Sequence, residues 1–390
     1  MTNQAILTAS LCLLLAFGVE RLGRRTGLPS VVVLIATGAL GKPLLAQMGW
    51  TLSGLDAAVP VIGTIGLVLI VLEGAFDLEL RRERWRTAAS AAVAATLCFF
   101  VWTACMTLLA MALLNLGLYH ALLVAIPFSV ISSAVAIPSS RMLPEKARTF
   151  VVYESSISDI LGILVFFALL GSDGSIAGSL SNLFLGSSLS LLLGAVSALL
   201  LLTVLVKLDG HIRFIPLLAG LFALYAGGKL LHLSPLIMVL MFGLILNNPR
   251  LLERAGLLRH ITSDPCYEPT IKEFKTLTTE LTFAVRGFFF LLLGYWTDVA
   301  GFTSLDAWFM AGLAVCIVYI VRYSVLKMLR VELAEALNWI APRGLITVLL
   351  YLNAKEKVVL PAYMDGAVML VVLTTALAMS FGRPQRLAKS

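Results

Sequence analysis

The sequence predicts an all-α protein that crosses a lipid bilayer many times. Of its 390 residues, 59% are hydrophobic and 13% are charged, whereas soluble domains average about 45–50% and about 25%. The apolar residues form continuous runs and do not alternate with polar ones, which favours helices over a membrane β-barrel. The basic residues behind the net charge of +7 lie mainly in short segments between these runs. This distribution is typical of a membrane protein and excludes a nucleic-acid-binding patch.

Thirteen apolar segments are predicted to be transmembrane helices, because a bilayer core of roughly 30 Å needs about 20 apolar residues in helical form. In chain order they are residues 5–19, 28–40, 59–76, 87–114, 119–139, 149–171, 183–206, 212–228, 234–246, 276–297, 304–326, 341–354 and 361–381. Before the first segment there is no basic region, so we expect it to stay in the protein as an anchor. The longest polar stretch, 247–275, is expected to hold an interfacial helix around Arg250–His260. Residues 1–390 thus form one transmembrane domain with no soluble domain.

The basic residues support this assignment of helices and give it an orientation. Segments that follow odd-numbered helices, together with the C-terminal tail, contain 22 of the 29 Lys and Arg residues, and segments that follow even-numbered helices contain 4. One missed or extra helix would destroy the alternation. Because cytoplasmic loops are enriched in Lys and Arg, we expect the N-terminus outside and the C-terminus in the cytoplasm. The short loops and short tail suggest a bacterial inner membrane.

Thirteen helices divide into two six-helix repeats on either side of a linker helix. The first repeat covers residues 1–171, the linker 183–206 and the second repeat 212–381. With one helix between them, the two repeats have opposite orientations in the membrane, as in inverted-repeat transporters.

The fifth helix of each repeat contains residues that interrupt helices. In the first repeat, Pro127 and Pro138 bracket the polar stretch Ser132, Ser133 and Ala134; in the second, residues 341–344 read Ala-Pro-Arg-Gly. Paired interrupted helices at matching positions predict a substrate site near the middle of the membrane, lined by the interrupted stretch. The alternative is that Pro and Gly are simply common in membrane helices.

Four ionisable residues lie deep in predicted helices, where charge is costly and usually functional. Asp159 and Arg286 are each about ten residues into a helix, roughly 15 Å from its end. Glu154 and Arg322 lie at a similar, shallower depth, which suggests an ion pair between the repeats. The alternative is that Arg322 snorkels to the cytoplasmic surface while Glu154 faces a water-filled funnel.

Arg286 is too deep to snorkel, and its partner stays open among helix-breaking carbonyls, Glu280 and Asp159. Other charges near helix ends are expected to reach the interface: Glu73, Glu280, Arg343 and Asp365. No further role is assigned to Arg343.

Asp159 is the strongest candidate for an ion-binding group. Ser155 lies four residues before it and shares its helix face, and Ser158 is adjacent. A carboxylate, hydroxyls and the freed carbonyls of an interrupted helix form the oxygen cage that hard cations such as Na⁺ or K⁺ prefer. The same carboxylate can hold a proton, and competition between the two ions is the basis of antiport. The alternative is a structural Asp satisfied by neighbouring Ser hydroxyls.

Four motifs together resemble the cation:proton antiporter superfamily, and in particular its sodium/proton exchanger branch. Residues 153–159, Tyr-Glu-Ser-Ser-Ile-Ser-Asp, look like the family's Gly-Glu-Ser-Leu-Leu-Asn-Asp motif. LVLIVLEGAFDL at residues 67–78 resembles its third-helix signature, FFFLLLG at 288–294 its FFxxxG helix, and APRGLIT at 341–347 its (L/P)RG segment.

The resemblance implies a homodimer in which a core domain carries the ion past a fixed dimer domain like an elevator. It implies that Asp159 binds the cation or the proton, that Ser155 is a ligand, and that Glu154 pairs with Arg322. Two features depart from the family. Ser158 replaces the usual Asn and has a shorter reach, and the interrupted fifth helix lacks the family's Thr-Asp-Pro. With one carboxylate at mid-membrane, we expect electroneutral exchange.

Antiport of Na⁺ or K⁺ against H⁺ is therefore the leading functional hypothesis, with a role in pH homeostasis. A passive or gated K⁺ channel on the same scaffold and a transport-inactive sensor are the alternatives, and a separate cytoplasmic regulatory subunit stays open. The sequence contains no catalytic triad, metal cluster or phosphate loop, so we expect neither enzymatic activity nor a cofactor. The expected partners are the two ions, the lipid bilayer and a second copy of the chain, and not nucleic acid.

Overall fold

The described part of the chain is built of helices, fifteen in number, with no β-strand among those residues. A computed structural model describes residues 2–26, 29–47, 55–78, 84–140, 143–172, 185–207, 214–231, 233–248, 267–296 and 304–379. The first eight helices are α1 (Thr2–Thr26), α2 (Ser30–Gln47), α3 (Leu55–Asp77), α4 (Trp85–Leu114), α5 (Leu118–Ser129), α6 (Ser133–Ser139), α7 (Glu145–Leu170) and α8 (Ser187–Lys207). The other seven are α9 (Phe214–Leu230), α10 (Pro235–Asn247), α11 (Tyr267–Trp296), α12 (Leu305–Met328), α13 (Ala334–Asn338), α14 (Leu345–Lys355) and α15 (Tyr363–Ala378).

The helices overlap every one of the predicted apolar segments, although several begin earlier. α11 starts at Tyr267 and α7 at Glu145, because polar residues extend each helix beyond its apolar part. Within the described residues, five stretches are long and apolar enough to cross a membrane. The exact count of thirteen spans and the division into inverted repeats stay predictions. The interfacial helix expected around Arg250–His260 lies outside the described residues.

Large apolar side chains cover the outer faces of several helices. Leu14 of α1 is 67% exposed, Leu108 of α4 67% and Ile320 of α12 65%. Extended apolar surface of this kind is unfavourable in water and is suited to lipid chains. The outer surface therefore agrees with a chain that passes through the bilayer.

The helices pack into two bundles. The first contains α1, α2, α3 and α8 to α11, and the second contains α4 to α7 and α12 to α15. Side-chain amides and indoles bond to carbonyls across helices within each bundle. In the first, the Asn247 amide donates to the carbonyls of Phe76 and Leu78, at 2.8 and 3.1 Å. In the second, Trp102 Nε1 donates to the carbonyl of Val318 at 3.1 Å. The bundles meet mainly where α3 and α10 contact α7.

Two interrupted helices lie in the second bundle. α5 ends at Ser129 and α6 begins at Ser133, with extended residues between them. Pro127 contributes to this break, because it lacks an N–H and its ring crowds the preceding turn. The second interruption separates α13 from α14. It corrects the predicted segment 341–354: residues 340–344 are not helical, the helix begins at Leu345, and α13 occupies part of the predicted loop 327–340.

The two non-helical stretches cross and contact each other. The backbone N–H of Ser132 donates to the carbonyl of Pro342 at 2.9 Å. Gly344 is required at this crossing, because a Cβ atom there would overlap the Ser132 side chain. The crossing brings the ends of four short helices together in the interior of the second bundle.

Candidate functional site

The first non-helical stretch is held by three acceptors, each of which satisfies one backbone N–H of residues 131–133. The N–H of Ile131 donates to Ser158 Oγ at 2.9 Å. The N–H of Ser132 donates to the carbonyl of Pro342 at 2.9 Å, and that of Ser133 donates to Asp159 Oδ2 at 3.1 Å. Buried backbone N–H groups need such partners. The broken helix is therefore stabilised by the same two side chains of α7 that the sequence placed in the candidate site.

Asp159 lies near the middle of α7 and its side chain is 6% exposed. One carboxylate oxygen, Oδ2, accepts the bond from Ser133, whereas Oδ1 has no hydrogen-bond partner among the described residues. The residue lines a cavity of about 20 Å³, roughly the space of one water molecule. The rest of the wall comes from α3, α7, α10 and α14, so the cavity lies between the two bundles.

The serines around Asp159 have different surroundings. Ser155 is 1% exposed and its hydroxyl donates to the carbonyl of Val151 at 2.7 Å, which leaves its oxygen lone pairs available. Ser158 accepts the bond from Ile131, so its side chain reaches the interrupted helix despite being shorter than Asn. Its hydroxyl therefore holds the broken helix. In the described residues, the Ser156 hydroxyl has no partner and lines the Asp159 cavity.

Glu154 and Arg322 form a buried ion pair between α7 and α12. The guanidinium bonds both carboxylate oxygens, Nη1 to Oε1 at 2.6 Å and Nη2 to Oε2 at 2.8 Å. Its Nε donates to the carbonyl of Leu337 at 3.0 Å. The two side chains are 1% and 0% exposed, so Arg322 does not snorkel to the surface. The ion pair therefore connects α7, which carries Asp159, to α12 of the same bundle.

Arg343 corrects the expectation that it reaches the membrane interface, because its side chain is fully buried. It lies in the second non-helical stretch, in the interior of the bundle and not at its edge. Its guanidinium stacks on the Trp102 ring at 4.4 Å. Nε donates to the carbonyl of Phe128 at 2.7 Å and Nη1 to that of Ala341 at 3.0 Å. A cation beside the last carbonyls of α5 is stabilising, because these carry partial negative charge.

Arg286 of α11 donates from Nη1 to the carbonyl of Ala134 at 3.1 Å. Of the three partners left open by the sequence, the structure thus gives it a carbonyl of the interrupted helix. Glu280 is exposed, whereas Glu73 is half-buried and interacts electrostatically with Arg286. Since α11 belongs to the first bundle and α6 to the second, this bond crosses the boundary between them.

Three features of the site were missed in the sequence. Ser156 is three residues from Asp159, a spacing that also places two side chains on one helix face, whereas the expectation from the sequence rests on the spacing of four. The burial of Arg343 was missed because its depth was measured from a wrong helix start. Asp77, at the end of α3, interacts electrostatically with Asp159, and no pattern within α3 predicts this interaction.

Comparison with known proteins agrees with the motifs. The model of the transmembrane sodium/hydrogen exchanger family matches residues 6–384. A structure of the sodium proton antiporter MjNhaP1 from Methanocaldococcus jannaschii at pH 8 is similar with a TM-score of 0.75 and 20% identity, over 98% of each chain. An electron-microscopy structure of the same antiporter gives 0.70 and 21%, over 100% of this chain and 96% of that one. These likenesses show a common fold, and the family match confirms the resemblance drawn from the motifs. The chain belongs to the sodium/hydrogen exchanger family of membrane proteins.

Proposed function

We propose that the protein exchanges a monovalent cation, Na⁺ or K⁺, for H⁺ across the membrane, with Asp159 as the shared binding group. The observation that carries the proposal is the state of its carboxylate. One oxygen is fixed by the Ser133 N–H, and the other is buried beside a cavity without a partner among the described residues. Membership of the sodium/hydrogen exchanger family supports antiport of Na⁺ and H⁺.

The chemistry of the site follows from its single carboxylate. When it is ionised, Asp159 attracts a cation. The cation also needs oxygen ligands, and the Ser155 hydroxyl still has lone pairs to serve as one. Protonated, it is neutral and releases the cation. Because the two ions bind the same carboxylate, occupancy by one excludes the other. If one ion leaves and the other does not replace it, the carboxylate stays charged and buried, which is unfavourable. Release of one ion is therefore coupled to binding of the other.

We propose one-for-one, electroneutral exchange. Between Glu83 and Glu145 the sequence contains no carboxylate, so the interrupted helix that borders Asp159 supplies no second acid. A site with one carboxylate alternates between one bound cation and one bound proton, and the same net charge crosses in both directions. Exchange that responds to membrane voltage would contradict this stoichiometry.

Movement of one bundle against the other is our proposal for alternating access. The cavity beside Asp159 is lined by α3 and α10 of the first bundle and by α7 and α14 of the second. A shift of the second bundle would therefore carry the carboxylate past a fixed wall. Inverted repeats of residues 1–171 and 212–381, with a linker at 183–206, would produce the two access states by symmetry. A homodimer, implied by the family resemblance, would hold the first bundle still.

We propose that the protein lies in a bacterial inner membrane with its N-terminus outside and its C-terminus in the cytoplasm. This orientation follows from the distribution of basic residues. In that orientation Asp77 lies at the cytoplasmic end of α3, within electrostatic range of Asp159, and its negative charge would attract cations toward the site. A separate cytoplasmic regulatory subunit would act from the same side.

Reconstitution into sealed vesicles tests the function. A fluorescent dye reports luminal pH after addition of Na⁺, K⁺ or Li⁺, with choline as the inert cation. Wild-type protein should move protons in response to at least one alkali cation, and Asp159→Asn should not. The amide still accepts the Ser133 bond, so this variant removes the charge with little change in shape. Asp306→Asn, on the exposed first turn of α12, is the matched control and should transport normally.

The other hypotheses give different results in the same vesicles. Electrical current without coupled proton movement would identify a channel and overturn antiport. Silence of the wild-type protein with every cation would leave the sensor and also overturn antiport. Repeating the assay with the voltage clamped by K⁺ and valinomycin, using Na⁺ as the driving ion, tests electroneutrality separately.

A further inference from the structure

We propose that the hydroxyl of Ser156 is a ligand of the transported cation, on the side of Asp159 that faces α3 and α10. The inference rests on the proposed function, because it adds a residue to the same ion site. It gives the ion a second serine ligand beside Ser155, the serine that the sequence and the family resemblance favour.

Two residues that carry unpartnered oxygens line the same cavity at this point. Within the described residues, Ser156 Oγ and Asp159 Oδ1 have no hydrogen-bond partner, and both residues line the cavity of about 20 Å³. They are three residues apart on α7, and this spacing puts them on one helix face. Ser156 is 1% exposed, so water outside the protein does not satisfy its hydroxyl.

Ser155 and Ser158, the other α7 serines beside Asp159, already form hydrogen bonds with the backbone. The hydroxyl of Ser155 donates within its own helix, and that of Ser158 accepts from the interrupted helix. Ser132 Oγ also has no partner in the described part of the chain, but it packs against Gly344 at the crossing, and Ser132 does not line the cavity. Ser156 is thus the serine whose free hydroxyl shares the cavity with the free carboxylate oxygen.

The rest of the cavity wall gives a cation few other partners. Apart from these two residues, the wall consists of glycine and aliphatic residues, among them Ile70, Leu240 and Ile346. A buried hydroxyl without a partner is unfavourable, and a cation between the two oxygens would satisfy both. The cavity has room for about one water, so the ion must lose most of its hydration and depends on protein oxygens. In the motif that this segment resembles, Leu occupies the position of Ser156, so the hydroxyl is an addition in this chain.

Removal of the hydroxyl should weaken cation binding and leave the proton chemistry intact. For Ser156→Ala we expect the apparent KM for the transported cation to rise about tenfold to 150-fold, the range that corresponds to losing one polar contact to a charged group. The maximal rate at saturating cation should stay within about twofold of wild type, because Asp159 still exchanges the two ions. Ser156→Thr keeps the hydroxyl and should restore most of the affinity.

Thr107→Val is the matched control. Thr107 on α4 is 5% exposed, and its hydroxyl also has no partner among the described residues, but it does not line the cavity. The variant removes a buried, unpartnered hydroxyl away from the site, so its KM should equal that of wild type. An equal rise in KM in both variants would mean that the effect is structural, and it would overturn the assignment.

A binding measurement separates this inference from the proposed function. The melting temperature of detergent-solubilised protein is recorded in NaCl, KCl, LiCl and choline chloride, since a cation that binds the folded state stabilises it. The stabilisation seen in wild type should be strongly reduced in Ser156→Ala and kept in Thr107→Val, even if the vesicles reveal a channel. Unchanged stabilisation in Ser156→Ala, or no stabilisation of wild type by any alkali cation, would overturn the role of Ser156.

Discussion

Removal of the Glu154 charge should lower the free energy of unfolding much more than removal of a charge at the surface, because Glu154 is buried in an ion pair. Glu154→Gln keeps the shape of the side chain but replaces a carboxylate that accepts two bonds from Arg322, at 2.6 and 2.8 Å. The amide nitrogen of Gln is a donor and faces a guanidinium that has only donors. Arg322 is 0% exposed, so water cannot replace the lost bonds.

The magnitude follows from burial. Loss of one partner from a fully buried ion pair leaves an uncompensated charge, which costs about 3–5 kcal/mol. The bond from Arg322 Nε to the Leu337 carbonyl remains and offsets only part of this. Replacement of both charges, as in Glu154→Leu with Arg322→Met, should recover most of the loss, because no buried charge is left unpaired. A double-mutant cycle then isolates the pair from the two single changes.

The Lys146–Glu332 pair provides a control at the same bond length. Its N–O distance is also 2.6 Å, but its side chains are 66% and 71% exposed. Exposed pairs of this kind contribute about 0.2–1 kcal/mol, so Glu332→Gln should change stability little. The free energy of unfolding can be measured for all variants by tryptophan fluorescence in mixed micelles with increasing dodecyl sulfate.

Equal losses in Glu154→Gln and Glu332→Gln would refute the reasoning, since burial would then make no difference to the pair. A double variant Glu154→Leu with Arg322→Met that is less stable than Glu154→Gln would also refute it. In that case the attraction between the two charges, and not the burial of an unpaired charge, would be the main contribution to stability.

Three further predictions concern the broken helix and the ion. Gly162→Ala should lower the melting temperature, by the equivalent of about 1–3 kcal/mol, because the added methyl would overlap the Val130 side chain. The control is Gly312→Ala, which has open space around it and should leave the melting temperature unchanged or slightly higher. Ser158→Ala should lower the free energy of unfolding by about 1–3 kcal/mol, since the Ile131 N–H loses its buried acceptor. Ser158→Asn provides a new acceptor and should recover stability in the same measurement. In vesicles, the apparent KM for the cation should rise up to about tenfold per unit fall in pH where the site carboxylate is largely protonated, because the proton competes for it; a KM that does not change with pH would contradict a shared site.

The interrupted helices could be predicted because their causes are local. Pro127 cannot donate a helical hydrogen bond, and Ser132 and Ser133 follow it within the same apolar run, so an interruption between Pro127 and Pro138 is predicted from the sequence alone. What holds the extended stretch could not be predicted in full. The acceptor for the Ser132 N–H is a carbonyl from residue 342, and no local pattern specifies a partner so distant in the chain.

Arg343 shows where reasoning from depth failed. A residue near the start of an apolar run is expected to reach the interface, and this holds when the helix starts at the membrane surface. Here the helix starts inside the protein, after a non-helical stretch that crosses another one. Charge near an apolar run is therefore ambiguous wherever Pro and Gly interrupt the run. The Pro-Arg-Gly sequence was in fact the signal that the depth scale did not apply.

The charges around the crossing differ in how the proposed motion affects them. The bonds from Arg343 to Phe128 and Ala341 lie within the second bundle, so a rigid shift of that bundle would preserve them. The bond from Arg286 to the Ala134 carbonyl joins the two bundles, so the same shift would break it. Arg286 would then stabilise the access state described here relative to the other. If the second bundle moves as proposed, Arg343 would keep its bonds within that bundle, and Arg286 would favour one position of the bundle over the other.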